Sequence, residues 1–157
     1  MGYHAPMNHR PHLAALAAAL LFLTGCATMT GSELELTADG RLPPCPSSPN
    51  CVSSDADPDD GTHYIEPLQI DDAQAAWQRL VDYVKADSSY TIVEQRDGYL
   101  RAEARTKILR FVDDVIFHLR PEEGAIAMRS SSRLGYSDLG KNRKRLEAVR
   151  EALGSNG

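Results

Sequence analysis

A chain of 157 residues with 42% hydrophobic and 25% charged side chains has room for one globular domain plus an added segment, and is too short for two full domains. Its formal net charge of −5 argues against wholesale nucleic-acid binding, which needs a basic footprint to neutralise phosphates. Charge is nevertheless segregated: Cys26 to Asp72 holds ten acidic residues and one basic, whereas Arg129 to Arg150 holds seven basic and two acidic. A local basic stretch of that kind can attract a phosphate, a carboxylate or an anionic lipid head group.

The opening residues carry Arg10 and then LAALAAALLFL, residues 13 to 23, an unbroken apolar run. It is shorter than the roughly 20 residues a helix needs to cross a bilayer. With its basic flank and small-residue exit it has the form of a secretory signal peptide over residues 1–25, with Met7 as an alternative start. The exit, Leu23-Thr24-Gly25-Cys26, resembles the lipobox of bacterial lipoproteins. That resemblance implies cleavage before Cys26, lipidation of its sulfur and a three-chain anchor, palmitate included, which holds far more firmly than one acyl chain. Ala27 follows the cysteine in place of aspartate, which in enteric-type bacteria implies an outer-membrane protein facing the periplasm.

An exported chain occupies an oxidising compartment, so Cys45 and Cys51 in CPSSPNC are expected to form a disulfide. The short loop would add roughly 2 kcal/mol on the chain-entropy account. Zinc is the rival reading, but it needs about four ligands and no further pair lies at ligand spacing. Residues 26–41 read as a lipid-anchored flexible tether and residues 42–157 as a single domain. The acidic SSDADPDDG resembles a calcium loop in the spacing of Asp55, Asp57, Asp59 and Glu66, but Asp60 stands where the sharp turn requires glycine. A solvated acidic loop is expected there; no metal or cofactor is expected in the chain.

Asp71 and Asp72 can cap a helix in which Ala73, Ala76, Trp77, Leu80, Val81 and Val84 recur at helical spacing. Residues 90–95 have strand composition, Asp97-Gly98 supplies a hairpin turn, and residues 99–107 alternate, with Arg101, Glu103 and Arg105 on a face expected to be solvated. Strands over 115–120 and 125–130 follow, and Leu139, Leu146, Val149 and Leu153 suggest a last helix with one apolar stripe. Short connections between consecutive strands require antiparallel pairing. The expected fold is therefore α+β: a four-stranded antiparallel meander with both amphipathic helices on one face, in the order helix, four strands, helix.

The densest chemistry lies in RSSSRLGYSDLGKNRKR, residues 129–145. If the strand continues, Arg129, Ser131 and Arg133 project together, with Ser130 and Ser132 opposite. Gly135 permits a bend, Ser137 or Asp138 can cap the last helix, and Gly140 leaves its first turn open. Helix-start N–H groups beside Arg133 and Arg143 could receive an anion, yet Asp138 competes for the same donors. Two readings stay open: an anion or partner site, or a brace for the turn.

Together CPSSPNCVSS, FVDDVIF and this run resemble a bacterial family of domains of unknown function, number 1499, over roughly Leu42 to Leu153. The resemblance implies an envelope domain of unassigned activity. It gathers Asp113, Asp114, Arg129, Ser130, Ser132, Arg133, Gly135, Ser137, Asp138, Gly140, Asn142 and Arg143 into one constellation. A serine hydrolase using Ser130 to Ser132 with His118 is the enzymatic alternative, although no nucleophile-elbow motif is present. Asp113 and Asp114, adjacent in a strand, should point to opposite faces, with one reaching solvent. The reading that results is a non-enzymatic envelope lipoprotein attached to the membrane by its lipid, binding an anionic ligand or envelope protein; a purely structural role is the other alternative.

Overall fold

The computed structural model describes residues 1–2, 34–106 and 110–154. The apolar run of the expected signal peptide and Cys26, where lipidation is expected, lie outside the described residues. Among those described, no helix is long and apolar enough to cross a membrane.

The first long element is α1, Ala73–Ala86. Asp72 opens it by accepting a hydrogen bond from the Ala75 N–H at 2.9 Å, satisfying one of the donors left free at a helix start. Its buried stripe is Ala76, Trp77, Leu80, Val81 and Val84. Strand β3, Tyr90–Arg96, joins β4, Tyr99–Arg105, through Asp97-Gly98, and the glycine takes φ +65°, the left-handed conformation that a two-residue hairpin requires. Strand β5 spans Val112–Arg120 and β6 Ala125–Ser132; each pairs antiparallel with its predecessor.

The architecture is α+β, with two helices against an antiparallel sheet. The sheet has six strands, not the four expected. The far side of β6 pairs with β1, Cys51–Ser53, and with β2, Leu68–Gln69, both antiparallel. The chain order accordingly begins with two short strands before α1. These two segments use backbone groups of β6 that would otherwise stand unpaired at an edge.

Pleating assigns alternate residues to opposite faces. One face presents Leu100, Ala102, Ala104, Val115, Phe117, Ile126 and Met128 to α1 and to α2, Lys141–Gly154, whose buried positions are Asn142, Leu146, Val149 and Leu153. Both helices thus cover the same face. The expected stripe is corrected at its start: Leu139 is outside the helix, exposed, with φ +57°. Asp138 caps α2 in the following turn, accepting hydrogen bonds from the Gly140 and Asn142 N–H groups, so the stripe begins with a polar residue, Asn142.

The other face was expected to be solvated; Arg105 is exposed on it, but the part around Tyr99, Ile116 and Ala127 is instead covered. Leu34, Leu36 and Leu42 pack on Tyr99, Ile116 and Ala127, so residues 34–41 form a packed strap where a flexible tether was expected. Leu34 and Leu42 are buried and Leu36 partly so, and each fully buried leucine contributes roughly 1.5–3 kcal/mol toward the cost of ordering the segment. Polar contacts hold the strap down: Tyr99 Oη donates to the Leu34 carbonyl at 3.1 Å, Arg96 pairs with Glu35 at 2.8 Å, and the Leu42 N–H donates to Asp55 at 2.7 Å. Asp55 is itself gripped by both terminal nitrogens of Arg120, at 2.7 and 2.6 Å. Burial pushes the Asp55 carboxyl upward, but the hydrogen bonds from Arg120 and Leu42, with the charge of Arg120, outweigh it and hold the group below its usual range. The Cys45–Cys51 disulfide, Cα–Cα 5.6 Å, joins the end of the strap to β1.

Candidate functional site

Strand β6 delivers the arginine–serine run to the two faces of the sheet in alternation. Ser130 and Ser132 meet α2; Arg129, Ser131 and Arg133 lie on the strap face. Register fixes what each encounters, since Asp113 is opposite Ser132 and Asp114 opposite Ser131.

On the helix face the polar groups form a closed network. Asp113 accepts from Ser132 Oγ at 2.6 Å and from Arg145 Nη2 at 2.6 Å. Arg145 Nη1 donates to Asn142 Oδ1 at 2.6 Å and to Ser130 Oγ at 2.9 Å, and Ser130 donates to Asn142 Oδ1. The Asn142 amide donates to the Asn50 carbonyl at 2.9 Å and to Ser132 Oγ at 3.0 Å. A polar network inside a core is stabilising only when its members are satisfied, and these are. Arg145, which ties the network together, went unremarked in the sequence because its carboxylate partner lies 32 residues away.

On the strap face Arg133 forms a two-pronged pair with Asp114, both contacts at 2.7 Å, and also reaches Glu103 at 2.8 Å. The hydrogen bonds that Arg133 donates to Asp114 lead the effects that raise the Arg133 pKa further above its ordinary value. Arg143 donates to the carbonyls of Gly61 and Thr62 at 3.3 and 3.2 Å, tying α2 to the acidic loop. Asp113 and Asp114 do face opposite ways, but the expectation that one meets solvent is corrected: both are buried, each neutralised by an arginine from further along the chain. Arg133 is thus held through Nε and Nη2 by carboxylates, Arg143 is held through Nη2 by backbone carbonyls, and Ser137 accepts from the Leu139 N–H at 3.3 Å.

Arg129 differs from its neighbours. It is fully buried, at 0% exposure, and Nη2 donates to the Pro44 carbonyl at 3.3 Å, while Nε and Nη1 meet no acceptor among the described residues. The constellation named from the sequence is thus divided by the sheet into two separate polar layers.

The hydrolase geometry is not assembled. Ser130 and Ser132 are on the opposite face of the sheet from His118. Ser131 shares its face, but His118 pairs with Ala127, four residues along β6, about 13 Å at the usual rise per residue. Burial, then the charge of Arg120, lowers the His118 pKa, and the ring lies 3.4 Å from Arg120 Nε.

A cavity of about 360 Å³ opens where the run leaves β6 for α2. Ser132, Leu134, Gly135, Ser137, Asp138, Leu139 and Lys141 line it from the run, and Thr106, Phe111 and Asp113 from the other side. Leu134, Tyr136 and Leu139 are 71, 75 and 82% exposed, and Phe111 is 47% exposed. Apolar tips set among glycines and serines were the available sequence signal; assigning Leu139 to the helix stripe concealed it. The run is accordingly both a brace, through its arginines and serines, and the wall of a cavity, through its leucines.

The model of a family described as "Protein of unknown function (DUF1499)" matches residues 41–153. The chain belongs to the DUF1499 family. The DUF1499 match starts within the strap and ends in the last turn of α2, so it takes in the cavity, both polar layers and the disulfide. No curated protein and no solved structure matches the chain.

Proposed function

We propose that this DUF1499 protein is a non-enzymatic lipoprotein of the bacterial envelope, anchored through lipid on Cys26 in the outer membrane on the periplasmic side. In this reading its domain binds the apolar portion of an amphiphile with an anionic head group. The observation that carries the binding function is the set of large apolar side chains, Phe111, Leu134 and Leu139, around one cavity, with Tyr136 beside them. Water-exposed apolar groups gathered in one place, at a cavity of ligand size, mark a binding surface. Lys141 supplies a cation at the rim for the head group. Leu139 holds a left-handed backbone that disfavours any residue carrying a Cβ, a cost that native structures concentrate at functional positions.

The anion-binding role first read for Arg133 and Arg143 passes in this proposal to Lys141, because Lys141 lines the cavity and the two arginines do not. A purely structural role is the second reading, favoured by the closed Asp113–Arg145 network. Titrating the full chain with a fluorescent fatty acid separates the two. The Leu134→Ser/Leu139→Ser double variant should weaken binding at least tenfold, from the lost burial of two leucines, with the unfolding midpoint unchanged. Equal binding by both proteins, or none by either, supports the structural role. The anchor is tested separately: labelled palmitate should enter the chain and be lost in Cys26→Ala.

A further inference from the structure

The buried layer under the strap carries unpaired donors that the cavity proposal does not use. Among the described residues, Arg129 has two N–H-bearing atoms without acceptors, the buried Ser131 Oγ has no hydrogen-bond partner, and Arg101 Nε makes no hydrogen bond, only a 3.6 Å ion contact with Glu94. All three project from one face: Ser131 is two residues from Arg129 on β6, and Arg101 pairs with Ile116, which pairs with Arg129. Leaving a buried donor unmatched is costly, and leaving a buried charge uncompensated more so.

The carboxylates of this face are already committed. Asp114 is held by Arg133, Glu103 by Arg105 and Arg133, and Glu94 by Arg96 at 3.2 Å with Arg101 at 3.6 Å. Among the described residues of this face, the positive charge left over is that of Arg129. Burial pushes its pKa down to about 10, with Asp114 and Tyr99 acting against the fall, so the guanidinium remains protonated at neutral pH.

We infer that a small oxyanion binds between the strap and the sheet, held by Arg129 with the hydroxyl of Ser131 and with Arg101. A guanidinium offers donors and no acceptor, so the complement is an acceptor-rich anion such as phosphate, sulfate or a simple carboxylate. Complete burial of Arg129, with the Pro44 carbonyl on Nη2, limits the ligand to a few heavy atoms. This site is on the opposite side of the sheet from α2 and is independent of the amphiphile cavity.

The test uses the full chain purified in detergent. Denaturation of the wild type, followed by ion chromatography, reports any oxyanion carried through purification and distinguishes phosphate, sulfate and carboxylate. In parallel, the dialysed protein is unfolded thermally in rising inorganic phosphate at constant ionic strength set with chloride. A ligand that prefers the folded state must raise the midpoint. The expected result is either about one oxyanion released per chain or a rise of several degrees at a hundredfold excess over the half-effect concentration. The release or rise should be lost in Arg129→Met, weakened at least tenfold in Ser131→Ala, and kept in Leu134→Ser/Leu139→Ser. If Arg129→Met does not fold, Ser131→Ala, which removes one hydroxyl, carries the comparison. Absence of both released anion and phosphate effect in the wild type overturns the inference. An effect undiminished in Ser131→Ala and Arg129→Met overturns it too, since the anion would then be bound elsewhere.

Discussion

Arg145→Met is the substitution that most directly tests the helix-face network. Methionine keeps most of the length of the side chain and removes the charge and three hydrogen bonds, to Asp113, Ser130 and Asn142. The Asp113 carboxylate stays buried with only the Ser132 hydroxyl to stabilise it. Removing one partner of a buried pair costs about 3–5 kcal/mol. Arg145 keeps limited contact with water and Asp113 keeps one donor, which places the expected loss near 3 kcal/mol. For a domain of about 120 residues that corresponds to a fall in Tm of roughly 12 °C. Urea unfolding of the wild type, Arg145→Met, Asp113→Asn and the double variant closes a thermodynamic cycle. The double variant should be more stable than the sum of the single losses allows, with a coupling of at least about 1.5 kcal/mol. A loss below about 0.5 kcal/mol in Arg145→Met, or additivity around the cycle, would refute the claim that this network braces the fold.

Two further outcomes are expected. Leu139→Gly should stabilise the protein by up to about 1 kcal/mol, because glycine accepts the left-handed backbone without the clash a Cβ brings; thermal unfolding measures this. Stability should also fall on acidification in two stages. The folded pKa of His118 lies below its ordinary value near 6.5, so protonation opposes folding and stability declines as the pH drops from about 6.5 toward that folded value. Asp55 is depressed, so its contribution is complete above the unfolded pKa near 3.9 and disappears as the pH falls through the folded one. His118→Gln should flatten the first stage and Asp55→Asn the second, when unfolding midpoints are followed from pH 7.5 to 3.

The long elements were readable because each buries one face, and burial imposes a period on the sequence. Trp77, Leu80 and Val84 disclose α1, and the alternation through Leu100, Ala102 and Ala104 discloses β4 with the correct facing. The elements that escaped are those whose length or position generates no period. Strand β1 has three residues and β2 two, too few to alternate. The strap is irregular backbone placed by Leu34, Leu36 and Leu42, and three apolar residues in a polar stretch do not reveal what they cover. Leu139 lies one heptad before Leu146 and so imitates a helix position; the turn geometry at Gly140 and the capping by Asp138 decide otherwise. At the site, alternation correctly divided Arg129, Ser131 and Arg133 from Ser130 and Ser132. It could not show that Arg133 finds Asp114 and Arg145 finds Asp113, because those pairings depend on strand register and helix docking.

The strap also determines how the domain would respond to mechanical load. A pull applied from the N-terminal side reaches Leu34 first and is borne by the Tyr99 hydroxyl, then the Glu35–Arg96 pair, then the Leu42–Asp55 contact. Loaded one after another, these contacts peel like a zip, each yielding at low force. At Cys45 the peeling meets a covalent stop. The disulfide passes tension straight to Cys51 in β1 and shields residues 46–50 from it. Beyond that point the load falls on the backbone hydrogen bonds of Cys51, Val52 and Ser53 to β6. The strap can therefore act as a compliant spring in series with a stiff sheet, and reduction of one sulfur–sulfur bond would lengthen that spring.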